Sequence, residues 1–215
     1  MDKLISIERA VAKIPHGATI MFGGFMANGT AEGVVDALVA SNVQGLTIIC
    51  NDSGYIDRGV GKLIVNKQCV KLITSHIGLN KETGRQMNDG ELEVVLTPQG
   101  TLAEQIRAGG YGLGGVLTKT GIGTLVAEGK QTVDVDGVTY LLEKPLRADF
   151  AILGGSKVDK AGNIVYKGST NNFNNIMASA ADVVIVEAEE LVEIGEIEPN
   201  AVITPGIFVD YIVQV

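Results

Sequence analysis

Ala18-Thr-Ile-Met-Phe22, followed at once by Gly23-Gly24-Phe25-Met26-Ala27-Asn28-Gly29 and then by Ala31-Glu-Gly-Val-Val-Asp-Ala-Leu-Val-Ala40, is the stretch that decides the fold. Residues 18–22 form an apolar run of strand length. Residues 31–40 place Val34, Val35, Leu38 and Val39 at helical spacing, so the order is strand, glycine loop, helix. The same grammar recurs outward. Residues 46–50 run into Asn51-Asp52-Ser53-Gly54, residues 70–74 into Ser75-His76, and residues 91–97 into Pro98-Gln99-Gly100. Strands that each end in polar or glycine residues and lead into a candidate helix predict βαβ units and a largely parallel sheet.

Ahead of this block, Ser6 precedes an apolar stripe of Ile7, Ala10, Val11 and Ile14, with Pro15 behind it, which predicts a helix ending near Ile14. Behind it, residues 109–129 are glycine-rich without periodicity, which predicts a structured loop region. Residues 132–142 alternate around Asp136-Gly137, the signal of a type I′ hairpin and so of an antiparallel excursion at the edge of the main sheet. Strands return at 150–153, 183–187 and 207–213. The expected fold is an α/β open, mostly parallel sheet with flanking helices and an antiparallel hairpin excursion, built as a single domain over residues 1–215.

A chain of 215 residues with 28 glycines, five prolines, no tryptophan and 46% hydrophobic content reads as aliphatic strands and helices joined by tight turns. A net charge of −8 argues against a nucleic-acid binder, which concentrates positive charge to displace counterions from phosphates. Cys50 and Cys69 lie in apolar stretches away from any metal-ligand spacing and read as buried reduced thiols. The opening residues form an amphipathic pattern rather than a signal peptide, and no apolar run reaches the ~18 residues of a membrane span, so a cytoplasmic, non-membrane protein is expected.

In an open parallel sheet, ligands bind beyond the carboxyl ends of the strands. The glycine loop, with the helix N-terminus behind it, can approach a ligand closely and hold negative charge, or it can simply pack helix on strand. Between Lys13 and Arg58 there is no Lys or Arg, so a phosphate held here would rely on backbone donors or on a cation from another chain. Asn51 and Gln99 are amides at strand ends that could donate to an oxygen gaining negative charge, although turn chemistry also accounts for them. His76 could serve as a general base, but no Ser, Cys or Asp completes a recognisable set with it; His16 reads as a surface turn residue. The acidic run containing Glu187, Glu190 and Glu193 could supply a carboxylate, and its spacing favours a solvated face. No metal-binding cluster is legible.

The run from His16-Gly17 through Gly23-Gly24-Phe25 to Gly29-Thr-Ala31 resembles the first signature of family I CoA-transferases, with His16 where that signature has Asp or Asn and Ala31 where it has Pro. The resemblance continues through Asn51-Asp52, the stretch from Glu91 past Thr97-Pro-Gln-Gly100 to Gly110, Arg147-Ala-Asp-Phe-Ala151, Ala161-Gly-Asn163, Asn172-Phe-Asn174 and Thr204-Pro-Gly206, and it covers essentially the whole chain. It is closest to the alpha subunits of the bacterial acetate/butyrate–acetoacetate group, with 3-oxoadipate and other 3-oxoacid enzymes sharing the motifs.

That resemblance implies a CoA-transferase subunit with no catalytic residue of its own. A glutamate on a beta subunit would attack the thioester and become a glutamyl-CoA thioester, in an assembly of two alpha and two beta chains. It further implies that Gly23, Gly24, Phe25, Met26, Ala27, Asn28 and Gly29 contact CoA, and that Asn51, Gln99 and Gly100 line the substrate pocket. Coenzyme A would be a substrate, with no cofactor and no metal. Two rivals are a self-sufficient sugar-phosphate isomerase on the same fold, which the cation-poor glycine loop disfavours, and a non-catalytic CoA-binding subunit.

Overall fold

The computed structural model describes residues 3–214. In chain order, α1 (Ile7–Val11), β1 (Thr19–Phe22), α2 (Glu32–Ala40), β2 (Leu46–Cys50), α3 (Gly61–Val65), β3 (Cys69–Thr74), α4 (Lys81–Asn88), β4 (Glu93–Leu96) and α5 (Gln99–Gly110) alternate as strand and helix. β5 (Val116–Thr118), β6 (Thr132–Val135) and β7 (Val138–Glu143) follow. The chain then returns through β8 (Ala148–Gly155), β9 (Lys157–Asp159), β10 (Ile164–Val165), α6 (Asn174–Met177), β11 (Ala181–Ala188), β12 (Leu191–Val192) and β13 (Tyr211–Gln214).

Seven strands form one sheet in the order β13-β11-β8-β1-β2-β3-β4, and every neighbouring pair in it is parallel. A parallel sheet is covered on both faces, which is why β8 is buried at seven of its eight positions rather than at alternate ones. One face packs Val34, Val35 and Leu38 of α2 with Leu63 and Ile64 of α3. The other packs Leu102 and Ile106 of α5 with Met177 of α6. The strand order reverses at β1 and β8, the place where such sheets open a crevice.

The expected open α/β sheet is the observed one, with local differences. Ser6 caps α1 through Arg9 N as the pattern requires, but the helix stops at Val11, and Ile14 reaches the core from the turn beyond. The hairpin forms with both central residues left-handed, Asp136 at φ 50° and Gly137 at φ 77°. It does not extend the main sheet: β6 and β7 join β5 in a separate three-stranded sheet. The glycine-rich stretch at 109–129 therefore holds the end of α5, β5 and a 3₁₀ turn at Leu125–Ala127. The last strand begins only at Tyr211, because Pro205 leads into a 3₁₀ turn at Gly206–Phe208. A second three-stranded sheet, β10-β9-β12, has no counterpart in the sequence pattern.

Candidate active site

The glycine loop leaves β1 at the reversal point and is built as a tight two-residue turn. Phe25 and Asn28 exchange backbone hydrogen bonds, N to O at 3.1 and 2.9 Å, around Met26 and Ala27 at φ 50° and 62°. Consecutive left-handed residues other than glycine cost about 1–2 kcal/mol each, so the surroundings must hold the turn in place. They do so at several points. Gly23 N donates to Ile152 O at 3.0 Å, Gly24 N to Asn172 Oδ1 at 3.0 Å, and Met26 N to Asp52 Oδ2 at 2.8 Å.

Asn172 and Asn174 lock the loop from behind. Asn172 Oδ1 also accepts from Phe173 N, while its Nδ2 donates to Asn28 O and Ser169 O. The buried Asn174 accepts from Gly154 N at 3.0 Å and donates to Gly29 O at 2.9 Å, bridging β8 and the loop. It lies so close under Gly23 that a Cβ there would stand 1.7 Å from Asn174 Oδ1, which is why position 23 is glycine. The crevice at the strand-order reversal is thus filled by the protein's own side chain.

The helix N-terminus behind the loop is likewise occupied. Glu187, the next-to-last residue of β11, accepts from Gly33 N at 3.2 Å and Val34 N at 2.8 Å. The expectation that this helix end could take an external anion is corrected: its first-turn amides hold an internal carboxylate. Burial pushes the Glu187 carboxyl above its ordinary range, against the lowering effect of the two amides. The same residue departs from the solvated face expected of its acidic run, whereas Glu189, Glu190 and Glu193 follow it, being exposed, with Glu190 paired to Lys157 and Glu193 to Lys160.

Asn51 and Gln99 come together. Gln99 Nε2 donates to Asn51 Oδ1 at 2.6 Å, and Asn51 Nδ2 donates to Asp52 Oδ2 at 2.9 Å. Asn51 is 1% exposed and stands behind Gln99, which is exposed at the first position of α5. Gln99 borders an open hollow of about 460 Å³ together with Phe25, Ala103, Arg107, Asn172 and Phe173. The chain thus supplies a cation to this hollow, Arg107, from far outside the cation-free stretch; its Nε lies 3.2 Å from Glu104. Gly100 faces a neighbouring hollow of about 320 Å³, on the side of α5 toward β5. Within the loop, Phe25, Met26, Asn28 and Gly29 reach the surface, while Gly23, Gly24 and Ala27 are buried beneath them.

Sequence reading missed the structural roles of Asp52, Asn172, Asn174 and Glu187. The signal was faint: an Asn-Phe-Asn triplet far from the loop, and an acid at the end of an otherwise apolar strand. His76 is exposed and pairs only its backbone with Asp52. His16 Nδ1 accepts from Gln44 N at 3.1 Å, a turn contact as expected. Cys50 and Cys69 are both buried and free; burial raises both thiols, that of Cys69 to about 12. Asn163 and Gly206 form a corner of the small sheet, where Gly206 N donates to Asn163 Oδ1 at 2.8 Å and Asn163 is held by Asp159. Among the described residues, no group of three or more His, Cys, Asp or Glu could hold a metal ion, and no helix is long and apolar enough to cross a membrane.

Residues 4–215 match the family described as coenzyme A transferase. The chain is 53% identical over 211 residues to the acetate CoA-transferase subunit alpha of Escherichia coli K12, covering 98% of this chain and 96% of that one. It is 53% identical over 213 residues to the acetoacetyl-CoA:acetate/butyrate CoA transferase alpha subunit of Clostridium acetobutylicum, covering 99% and 98%. Its fold is that of an acyl-CoA transferase from Escherichia coli O157:H7 solved as a thioester complex with CoA, at a TM-score of 0.88 and 22% identity, where it covers all of this chain and 47% of the other.

Proposed function

We propose that this chain, which belongs to the coenzyme A transferase family, is the alpha-type subunit of a CoA-transferase that moves CoA between a short-chain acyl-CoA and a free acid of the acetate, butyrate and acetoacetate group. The two alpha-subunit relatives at 53% identity over nearly their full length support the choice of acids. The enzyme is cytoplasmic, pairs two alpha with two beta chains, and uses coenzyme A as a substrate with no cofactor.

The observation that carries this reading is the exposed Gln99 amide beside Phe25 and the surface of the glycine loop, backed by Asn51. Near it, the carboxylates of Asp52 and Glu187 are turned inward onto backbone amides. The nucleophile comes from the beta chain. Its glutamate attacks the thioester carbonyl and expels CoA thiolate, leaving a mixed anhydride. The thiolate then attacks the glutamyl carbonyl, releasing the first acid and leaving a glutamyl-CoA thioester, and the second acid reverses both steps. Gln99 Nε2 carries two hydrogens and gives one to Asn51, so the other is available to an oxygen gaining charge. The 23–29 loop surface contacts CoA, and Gly100 widens the approach beside Gln99. An anhydride must be kept from water, and a site closed between two chains accomplishes that.

The test is reconstitution with a beta-type chain of the same family, assayed with acetoacetyl-CoA and acetate. The complex is then incubated with acyl-CoA, reduced with borohydride and mapped by mass spectrometry. The modified glutamate is expected on the beta chain. Modification of Glu187, Glu190 or Glu193, or a well-formed complex that transfers no CoA, would overturn the reading.

A further inference from the structure

The glycine loop and the Asn51–Gln99 pair meet on one carboxylate. Asp52 is 6% exposed, and three N–H donors converge on its two oxygens: Met26 N at 2.8 Å and Asn51 Nδ2 at 2.9 Å on Oδ2, and Gly54 N at 3.0 Å on Oδ1. Primary amides have nearly the same shape either way round, so only hydrogen-bond partners decide which end faces where. A carboxylate oxygen facing these donors accepts and does not donate. It therefore turns the Asn51 nitrogen toward Asp52, which leaves Asn51 Oδ1 facing Gln99, which in turn sets the Gln99 nitrogen inward against it.

The same Oδ2 holds the Met26 amide at the first of the two left-handed positions of the turn. Backbone of that kind persists only where its surroundings over-determine it. We propose, on the basis of the CoA-transferase reading above, that Asp52 is a positioning residue whose single carboxylate sets both the direction of the Asn51–Gln99 amide relay and the turn of the 23–29 loop. It thereby keeps the group that meets the reacting oxygen and the group that meets CoA in one register. An asparagine at this position could not do the same. Whichever way it turned, its NH₂ would face either Gly54 N or the pair of Met26 N and Asn51 Nδ2, donor against donor. Turning over Asn51 and Gln99 together, which brings the Gln99 carbonyl inward, would relieve only the Asn51 contact; a backbone N–H of Met26 or Gly54 would still face a donor.

Two variants test this. In the assembled enzyme, Asp52→Asn is expected to lower kcat on the order of tenfold to a hundredfold, as a small misplacement of a reacting group does. In a Gln99→Ala background it should lower kcat by no more than about twofold, since the part carried by the relay passes through Gln99, while the part carried by the 23–29 loop persists as a raised KM for acyl-CoA. A wild-type kcat for Asp52→Asn, or losses that multiply in the double variant, would overturn the proposal.

Gln99→Glu, at an exposed position that leaves folding intact, gives a readout that needs neither turnover nor a partner. Only the protonated carboxyl can donate to Asn51 Oδ1, so carbon NMR of the full chain should show it titrating above the ordinary glutamate range. An ordinary titration would sink the relay. If the wild-type assembly itself transfers no CoA, the functional reading falls while this titration still decides the relay.

Discussion

Glu187 at the end of β11 and Val34 in the first turn of α2 are joined by a 2.8 Å hydrogen bond across 153 residues of sequence. The helix that follows the glycine loop is therefore capped by the second half of the chain, and its position is tied to the β8–β11 side of the sheet. A bond of this kind links the stability of the fold to the placement of the loop, and its loss can be measured.

Glu187→Ala leaves two helix N-terminal amides without their acceptor. A loss of about 1–3 kcal/mol in unfolding free energy is expected, read by urea denaturation. The pH dependence follows from burial, which raises the carboxyl above its ordinary value of 4.5. A raised value means that the folded chain binds the proton more tightly than the unfolded chain. The stability this gives is full below the ordinary value and is lost as pH rises through the raised one. Glu187→Gln stays neutral throughout, so the stability of wild type relative to this variant should fall as pH is raised across that window. A constant or rising difference contradicts the assignment.

Gly23→Ala places a methyl carbon 1.7 Å from Asn174 Oδ1. Relieving that overlap should cost about 1–3 kcal/mol of stability. Asn174→Ala removes the atoms in the way, so the double variant should lose less than the sum of the single losses. Additive losses would show that something other than this contact keeps position 23 as glycine.

Gln99→Ala should leave the complex assembled while lowering kcat by about a hundredfold, the usual scale for removing one preset donor to a developing oxyanion. Size-exclusion chromatography checks the assembly and steady-state kinetics checks the rate. Unchanged kinetics would return Gln99 to the role of a helix-initiating turn residue.

Cys50 and Cys69 should resist thiol reagents in the folded chain near neutral pH, because burial raises both and little thiolate is present. Both should react promptly once the chain is unfolded in denaturant. Fast labelling of either in the native protein would contradict their burial.

The parallel sheet was legible because its strands are short apolar runs with polar or glycine ends, and that pattern is local. So were Asn51 and Gln99 at strand ends, since the loop residues follow directly on the strands. The braces of the site were not legible. Asn172 meets Gly24 across 148 residues and Asn174 meets Gly29 across 145, and no local rule announces such a partner. Glu187 looked like part of a solvated acidic run because β11 extends to Ala188, which turns its side chain inward at the point where the run begins. β9, β10 and β12 are two or three residues long, too short to show a period.

The junction of β1 with β8, where Ile20 pairs with Phe150 and Asn174 fills the space beyond, also bears on how the chain acquires its site during synthesis. Contacts so far apart in sequence form late, since the whole intervening chain must be ordered first. A nascent chain that ends before Asn172 already carries β1 to β4, the Gln99 helix and the Asp52 brace, yet lacks both asparagine clasps of its glycine loop. The full bracing of the loop is therefore a property of the finished chain, and truncation from the carboxyl end should loosen it well before the first four strands are reached.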